Sequence, residues 1–180
     1  MKIGIAGIGG IGSNVARHLA QARVESVKIV DQDLVEASNL NRQFYRMSQV
    51  GRKKTDSLAE NLREIFPGMI IEKMDMTLGP GDAARVFFDC DIIVEGFDNK
   101  VSKKMLIEEL SLTGKILVSA SGIAGTDMSR VAVKKMGNCH IIGDFMSDQA
   151  DFELFGPKII LVAALMAGVV LTHLKEKENE

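Results

Sequence analysis

The sequence predicts an α/β fold: a mostly parallel sheet with helices on both faces and a C-terminal antiparallel extension. Three observations predict it. Ile3 to Ala6 is strand-type sequence that runs straight into Gly7, Gly9, Gly10 and Gly12 and then into a helical stretch, Ser13 to Ala22. A second strand, Val27 to Val30, ends in Asp31, 19 residues after Gly12. Beyond it, short apolar strands keep alternating with helical segments, the pattern that builds parallel sheets. Strand, glycine turn and helix in that order suit an anion, because glycines admit a pyrophosphate close to the backbone and the helix end presents unpaired N–H groups. The glycines fit Gly-x-Gly-x-x-Gly, and Asp31 stands where the ribose-binding carboxylate of a Rossmann-like unit belongs. A tight strand-to-helix connection with no ligand is the alternative for the glycines alone.

The elements follow in order. Val15, Leu19 and Ala22 form one stripe of the first helix, with Asn14, Arg17, His18 and Gln21 elsewhere and His18 read as a solvated surface residue. After strand two, Gln32 to Gly51 is a long polar connection carrying Asp33, Ser38, Asn39, Asn41, Arg42, Gln43 and Arg46. Loops of this length are usually functional or disordered, and the interleaved Leu34, Val35, Leu40, Phe44 and Tyr45 argue for order. A helix from about Arg52 to Phe66 is stopped by Pro67-Gly68. Lys54 falls in its first turn, where a cation opposes the helix dipole unless an anion lies nearby. A solvated lysine at a frayed end is the other reading.

Met69 to Met74 reads as strand three and Asp82 to Phe88 as a short helix. Asp91 to Glu95 is a buried type of strand that ends at Gly96-Phe97-Asp98-Asn99, before a helix from about Val101 to Leu112. Asp98 is thus expected at the carboxyl edge of the sheet, where ligands of open α/β sheets bind. An aspartate there is equally a helix cap. Lys115 to Ala120 is strand five, followed by the flexible Ser121 to Gly125. Arg130 to Lys135 and Cys139 to Ile142 read as a hairpin around Met136-Gly137-Asn138. A polar loop, Gly143 to Gly156, leads to Pro157 and a helix to about Lys175, with Glu176 to Glu180 expected to fray.

Composition narrows the classes. A length of 180 residues suits a single domain, 1–180. The net charge of −2, with no basic run beyond short clusters such as Arg52-Lys53-Lys54, gives no footprint for nucleic acid. Cys90 and Cys139 are the two cysteines, and no Cys-x-x-Cys occurs, so neither a disulfide framework nor a cysteine zinc site is expected. The start shows no signal-peptide pattern, and the expected location is cytoplasmic. Ile159 to Leu171 is an apolar run too short for a membrane span by itself. It reads as a buried helix, within the monomer or in a homodimer interface.

The block Asp31-x-Asp33-x-Val35-x-x-Ser38-Asn39-Leu40-Asn41-Arg42-Gln43, then Gly51-x-x-Lys54, then Asp98-Asn99, resembles the ThiF/MoeB/HesA family, bacterial relatives of ubiquitin-activating enzymes. The loop GIGGIGS fits the same family, and the resemblance spans about Ile3 to Lys175. Length and the missing zinc cysteines make the chain most similar to short ThiF-like proteins of thiamine biosynthesis.

That resemblance implies ATP-dependent adenylation of a small ubiquitin-fold sulfur carrier protein ending in Gly-Gly, such as ThiS. The carrier's terminal carboxylate would attack the α-phosphate, pyrophosphate would leave, and sulfur would then replace AMP. It implies nucleotide binding by Gly7, Gly9, Gly10, Gly12, Asp31, Asp33, Ser38, Asn39, Arg42, Lys54 and Asn99. Asp31 would accept the ribose hydroxyls, and Asn39 would position the triphosphate. Arg42 and Lys54 would meet the phosphates, and Asp98 would hold Mg²⁺, with Arg42, Lys54 and Asp98 as the catalytic set. No general base is needed, because a carboxylate nucleophile is already ionised.

Three departures stand out. Many members carry helices before the first strand that supply an arginine to the partner's phosphates, whereas strand one here starts at Ile3; Arg46 and Arg52 are the candidates to compensate, a surface charge being the favoured reading of each. Zinc-binding cysteine pairs are absent. Members with a covalent carrier or sulfur link use a cysteine in a crossover loop, for which Cys139 is a rough positional candidate, a small buried hydrophobe being the other reading of Cys139 and of Cys90. The alternatives are activation of the small subunit of molybdopterin synthase, a non-catalytic carrier-binding scaffold, and an NAD-dependent oxidoreductase, which would leave Ser38 to Gln43, Lys54 and Asp98 unexplained.

Overall fold

The computed structural model describes residues 1–178. In chain order the elements are β1 (Ile3–Ala6), α1 (Gly10–Gln21), β2 (Ser26–Val30), α2 (Lys54–Ile65), β3 (Ile70–Met74), α3 (Asp82–Val86) and β4 (Ile92–Glu95). Then come α4 (Lys100–Leu110), β5 (Ile116–Ala120), β6 (Ala132–Met136), β7 (Cys139–Gly143) and α5 (Gly156–Glu178). The strands form one seven-stranded sheet in the order β3-β2-β1-β4-β5-β7-β6. All neighbours pair in parallel except β6 and β7, which are antiparallel. The expected α/β architecture, antiparallel extension included, is therefore present.

Helices cover the two faces. On one, α1, α2 and α5 pack over Ile3, Ile5, Ile29, Ile92 and Val94. On the other, α3 and α4 pack over Ala6, Val30, Ile93 and Leu117. Central strands covered on both faces bury every residue, which is why IGIA and IIVE are nearly all apolar. Edge strand β6 is exposed along its whole length, and Lys134 and Lys135 discourage pairing with another chain there.

Several elements depart from the sequence reading. The first helix begins at Gly10 rather than Ser13, because its opening turn packs against the β1 loop where only glycine fits. Asn14 belongs to its buried side: the amide donates to the Gly10 carbonyl at 2.7 Å and to the Arg42 carbonyl at 2.9 Å. His18 is half-buried rather than solvated, and burial pushes its pKa down. The connection after β2 is ordered by two 3-10 turns, Ala37–Asn39 and Met47–Gln49. Met136 ends β6 instead of lying in the hairpin turn.

The last helix reaches Glu178, so the expected fraying fails for 176–178, and 179–180 lie outside the described residues. Over Gly156–Lys177 it is long and apolar enough to cross a membrane by length and composition alone, unlike its 13-residue apolar core read in isolation. A stripe of Ile159, Val162, Ala163, Met166, Ala167 and Val170 is buried against the rest of the fold, while Ile160 and Gly168 face outward. Burial is thus on one side rather than on most sides.

Candidate functional site

Register sets the site. Ala6 at the end of β1 pairs with Val30 of β2 on one side and Glu95 of β4 on the other, so three strands finish level. The chain order reverses between β1 and β4, and loops leaving that edge in opposite directions open a crevice. A cleft of about 610 Å³ lies there. Its wall includes Gly7, Gly9, Gly10, Asp31, Asp33, Arg42, Lys54, Asp98 and Asn99, residues from five separate stretches of sequence.

The glycines do different jobs. Gly7 has φ +82°, the left-handed region, and a Cβ there would lie 3.0 Å from the Gly96 backbone. A Cβ on Gly12 would lie 2.0 Å from the Gly7 carbonyl oxygen, so Gly12 serves the packing of α1 on β1 and does not reach the cleft wall. Gly9 caps α1 and Gly10 opens it, and the first-turn N–H groups of such a helix have no intrahelical partner. Unpaired N–H groups at the positive end of a helix suit an anion.

Asp31 is fixed by its backbone neighbours. One carboxylate oxygen accepts the Ile8 N–H at 2.8 Å and the other the Asp33 N–H at 2.8 Å. Each oxygen keeps a second lone pair for a ligand hydroxyl. Burial pushes the Asp31 pKa up, and the two N–H donors and nearby Lys54 oppose that. Tyr45 ties the loop down from behind, its buried hydroxyl donating to the Ile8 carbonyl at 2.8 Å.

Lys54 is buried, not solvated. Its Nζ lies 2.8 Å from the Asp33 carboxylate, so the anion that offsets a lysine in the first turn of α2 comes from the protein itself. Arg42 reaches the cleft with one guanidinium nitrogen held by the Ser38 carbonyl at 2.9 Å and the Asn41 side-chain oxygen at 2.8 Å. The Asn14 bridge fixes the Arg42 backbone against α1.

Of the SNLNRQ block, Arg42 and Gln43 reach the cleft wall, while Ser38, Asn39, Leu40 and Asn41 stay off it. The Ser38 hydroxyl bonds the Glu36 carboxylate. Asn39 is buried, and its side-chain oxygen accepts the Glu36 N–H at 3.2 Å. The side chain therefore braces the 3-10 turn that carries Arg42, and the expected triphosphate contact of Asn39 has no geometry behind it. Arg46 pairs with Glu64 and Arg52 with Glu60, and neither lines this chain's cleft.

Asp98 lies three residues past β4, exposed at the cleft wall, and its carboxylate has no hydrogen bond or ion pair among the described residues. Asn99 caps α4 by accepting the Ser102 N–H at 2.8 Å. No group of three or more metal-ligating side chains occurs among the described residues. A single free carboxylate fits Mg²⁺, which takes one or two carboxylates with waters and substrate phosphates. Both cysteines are buried: burial pushes the Cys90 thiol up to about 12 and raises Cys139. Neither has the depressed pKa of a nucleophilic thiol.

The far wall of the cleft was not legible from the motifs. Phe145 to Gln149 closes it: Lys100 pairs with Asp148, and the Gln149 amide donates to the Asp98 carbonyl at 2.8 Å. This loop is rooted on Lys158, 1% exposed, whose Nζ donates to Asp144 at 2.6 Å and to the Ala124 carbonyl at 2.6 Å. A lysine opening an apolar helix was the one local signal for it. Glu95, buried at the end of β4 and bonded to Ser119, also escaped notice; an acid closing an otherwise apolar strand was the clue.

Comparison with known proteins agrees with this architecture. Two fungal proteins named adenylyltransferase and sulfurtransferase share sequence with it. Uba4 of Emericella nidulans is 41% identical over 123 residues, 68% of this chain and 26% of that protein. UBA4 of Candida glabrata is 32% identical over 142 residues, 77% of this chain and 33% of that one. The chain thus spans about a quarter to a third of these relatives. Among solved structures, Escherichia coli TcdA, a tRNA N6-threonylcarbamoyladenosine dehydratase in complex with AMP, superposes with a TM-score of 0.89 at 20% identity, covering 99% of this chain and 88% of that one. Escherichia coli MccB with ATP gives 0.72 at 20% identity over 94% of this chain and 54% of that one. Those identities speak to the fold alone. The ThiF family profile matches residues 1–180, and with the switch-point cleft behind that match, the chain belongs to the ThiF family.

Proposed function

We propose that this protein binds ATP in the cleft and adenylates the C-terminal Gly-Gly carboxylate of a small ubiquitin-fold sulfur carrier, releasing pyrophosphate. The observation that carries the reading is the convergence on one wall of the glycine turn, Asp31, Arg42, Lys54 and Asp98. A plain dinucleotide site would use the first two and leave two cations and a free carboxylate without a task. Membership of the ThiF family and the adenylyltransferase activity in the names of the fungal relatives support the same chemistry.

In this reading Asp31 accepts the ribose hydroxyls with its remaining lone pairs, and the open turn of α1 faces the phosphates. The carrier's carboxylate oxygen attacks the α-phosphorus, and the bond to the bridging oxygen breaks with its electron pair leaving on pyrophosphate. Arg42 and Lys54 stabilise the negative charge that grows on the transferring phosphoryl oxygens. Lys54 leaves Asp33 for the phosphate, so its charge stays compensated before and after nucleotide arrives. Asp98 would hold Mg²⁺ at the phosphates, where the ion neutralises their charge.

For the carrier, the reading is a ThiS-like protein of thiamine biosynthesis, with the small subunit of molybdopterin synthase as the second candidate. The expected setting is the cytoplasm and the expected assembly a homodimer through the outward face of α5, whose Ile160 is 40% exposed. The test is exchange of labelled pyrophosphate into ATP with each carrier in turn, beside an NADH titration. Exchange that requires a carrier, with no NADH binding, is the expected result. NADH binding without exchange would replace the reading with an oxidoreductase.

A further inference from the structure

One buried charged cluster at the floor of the cleft has no part in the scheme above. Glu95, the last residue of β4, is 1% exposed. Its Oε1 accepts the Phe97 N–H at 2.8 Å, and its Oε2 accepts the Ser119 hydroxyl at 2.6 Å and a hydrogen bond from Lys103 Nζ. Lys103, at the cleft wall, also donates to the Ala120 carbonyl at 2.9 Å. One carboxylate therefore joins β4, α4 and β5.

A charge removed from water is costly unless paired and fully hydrogen-bonded, and an apolar pair of similar volume is often as stable or more so. Packing alone gives no reason for this ion pair. What it encloses is the turn from Gly96 to Asn99. Gly96 donates to the Ala6 carbonyl at 2.8 Å, Phe97 donates to Glu95, and Asn99 caps α4 at Ser102. Asp98, between the last two anchors, has a carboxylate with no protein partner among the described residues. The Gly96–Phe97 peptide, one link before the peptide that joins Phe97 to Asp98, takes its orientation from Glu95, and Glu95 takes its own from Lys103 and Ser119.

We propose that Glu95 and Lys103 are positioning residues whose ion pair fixes the Gly96–Asn99 turn, so that Asp98 meets the Mg²⁺ of a bound nucleoside triphosphate. The inference rests on the metal role given to Asp98 above. It assigns no contact with substrate to either residue.

The test compares Lys103→Met, Lys103→Arg and, as a control, Lys104→Met on the exposed side of α4. ATP binding is followed by thermal shift with and without MgCl₂, and amide hydrogen exchange is followed over 96–99. Lys103→Met is expected to raise the half-saturating magnesium about tenfold, as loss of a metal ligand's orienting partner does. ATP binding without magnesium should stay at wild-type strength, and Phe97 should exchange faster. Lys103→Arg, which keeps the charge, should restore most of both, and Lys104→Met should change neither. If Lys103→Met does not fold, Ser119→Ala removes one donor to Glu95 and should move both readouts a few-fold in the same direction.

Wild-type magnesium dependence in a folded Lys103→Met, or an equal loss of ATP binding with and without magnesium, would overturn the proposal. Asp98→Asn separates the two layers. Should it leave the magnesium dependence untouched, the metal role of Asp98 fails, and unchanged Phe97 exchange in Lys103→Met is then what removes the clamp.

Discussion

Lys54 and Asp33 form an ion pair, 2.8 Å between Nζ and carboxylate, in which the lysine is buried and the aspartate is exposed. A buried ammonium at the first turn of a helix is unfavourable on two counts, desolvation and the helix dipole, and one carboxylate offsets both. Asp33 lies at the open side, where arriving phosphate can displace it. Lys54→Ala is expected to lower carrier-dependent exchange by about 10²-fold, the loss of one transition-state donor. Asp33→Asn removes only the resting partner and should cost less than about tenfold, seen in KM for ATP more than in kcat. Equal losses in both variants, measured by pyrophosphate exchange, would show that Lys54 matters through the pair and not through phosphate.

Gly12 makes the second prediction. Its Cβ position lies 2.0 Å from the Gly7 carbonyl oxygen, a backbone atom that cannot rotate away. Gly12→Ala must push α1 off β1, and overpacking of this kind costs about 1–3 kcal/mol or more. Gly9→Ala, whose nearest contact is the Gln43 amide at 3.7 Å, should fold normally and lose nucleotide binding instead. Urea denaturation and an ATP thermal shift on the two variants separate packing glycine from ligand glycine.

That split marks how far the sequence could be read. Gly12 and Gly9 look alike in the motif, and only the approach of two backbones tells them apart. Local signals served well: the strand that runs up to Asp31, the strand that closes on Glu95 and the antiparallel pair all follow from short stretches. Non-local partnerships did not. Glu95 meets Ser119 and Lys103, and Lys158 meets Asp144, across distances in sequence that no periodicity links. Buried polar brackets were misjudged too. Asn14 looked like surface, yet its amide holds the Arg42 carbonyl 28 residues away, and Asn39 looked like a ligand contact, yet its side-chain oxygen caps the Glu36 N–H of its own turn.

The Lys158–Asp144 pair gives a pH dependence. Burial alone would raise the Asp144 carboxyl, but hydrogen bonds from Lys158 and from the Ser147 and Met146 N–H groups hold it well below the ordinary range. A carboxyl depressed in the folded state contributes stability that is complete above its unfolded pKa of about 3.9 and is lost as pH falls below it. Stability should therefore decline below about pH 4. Lys158→Met leaves Asp144 without its cation and should cost about 3–5 kcal/mol at pH 7. The variant should also lose part of the acid dependence, because protonating Asp144 no longer breaks an ion pair. Urea midpoints of wild type and variant between pH 3 and pH 7 check both, and parallel curves would remove Asp144 from the acid response.

Cys139 provides the last prediction. It starts β7, pairs in register with Leu117 of β5, and is buried with its thiol pushed up by burial and by nearby Glu95. A thiol that stays protonated at neutral pH is a poor nucleophile, and its position within the sheet keeps it from the solvent-exposed end of a carrier. Cys139→Ser should therefore retain carrier-dependent pyrophosphate exchange within about twofold, the scatter expected of a residue outside the chemistry. The native thiol should react with iodoacetamide only as fast as the fold opens. Rapid alkylation of the folded protein that abolishes sulfur transfer while sparing exchange would instead mark Cys139 as the covalent link that the ThiF resemblance leaves open.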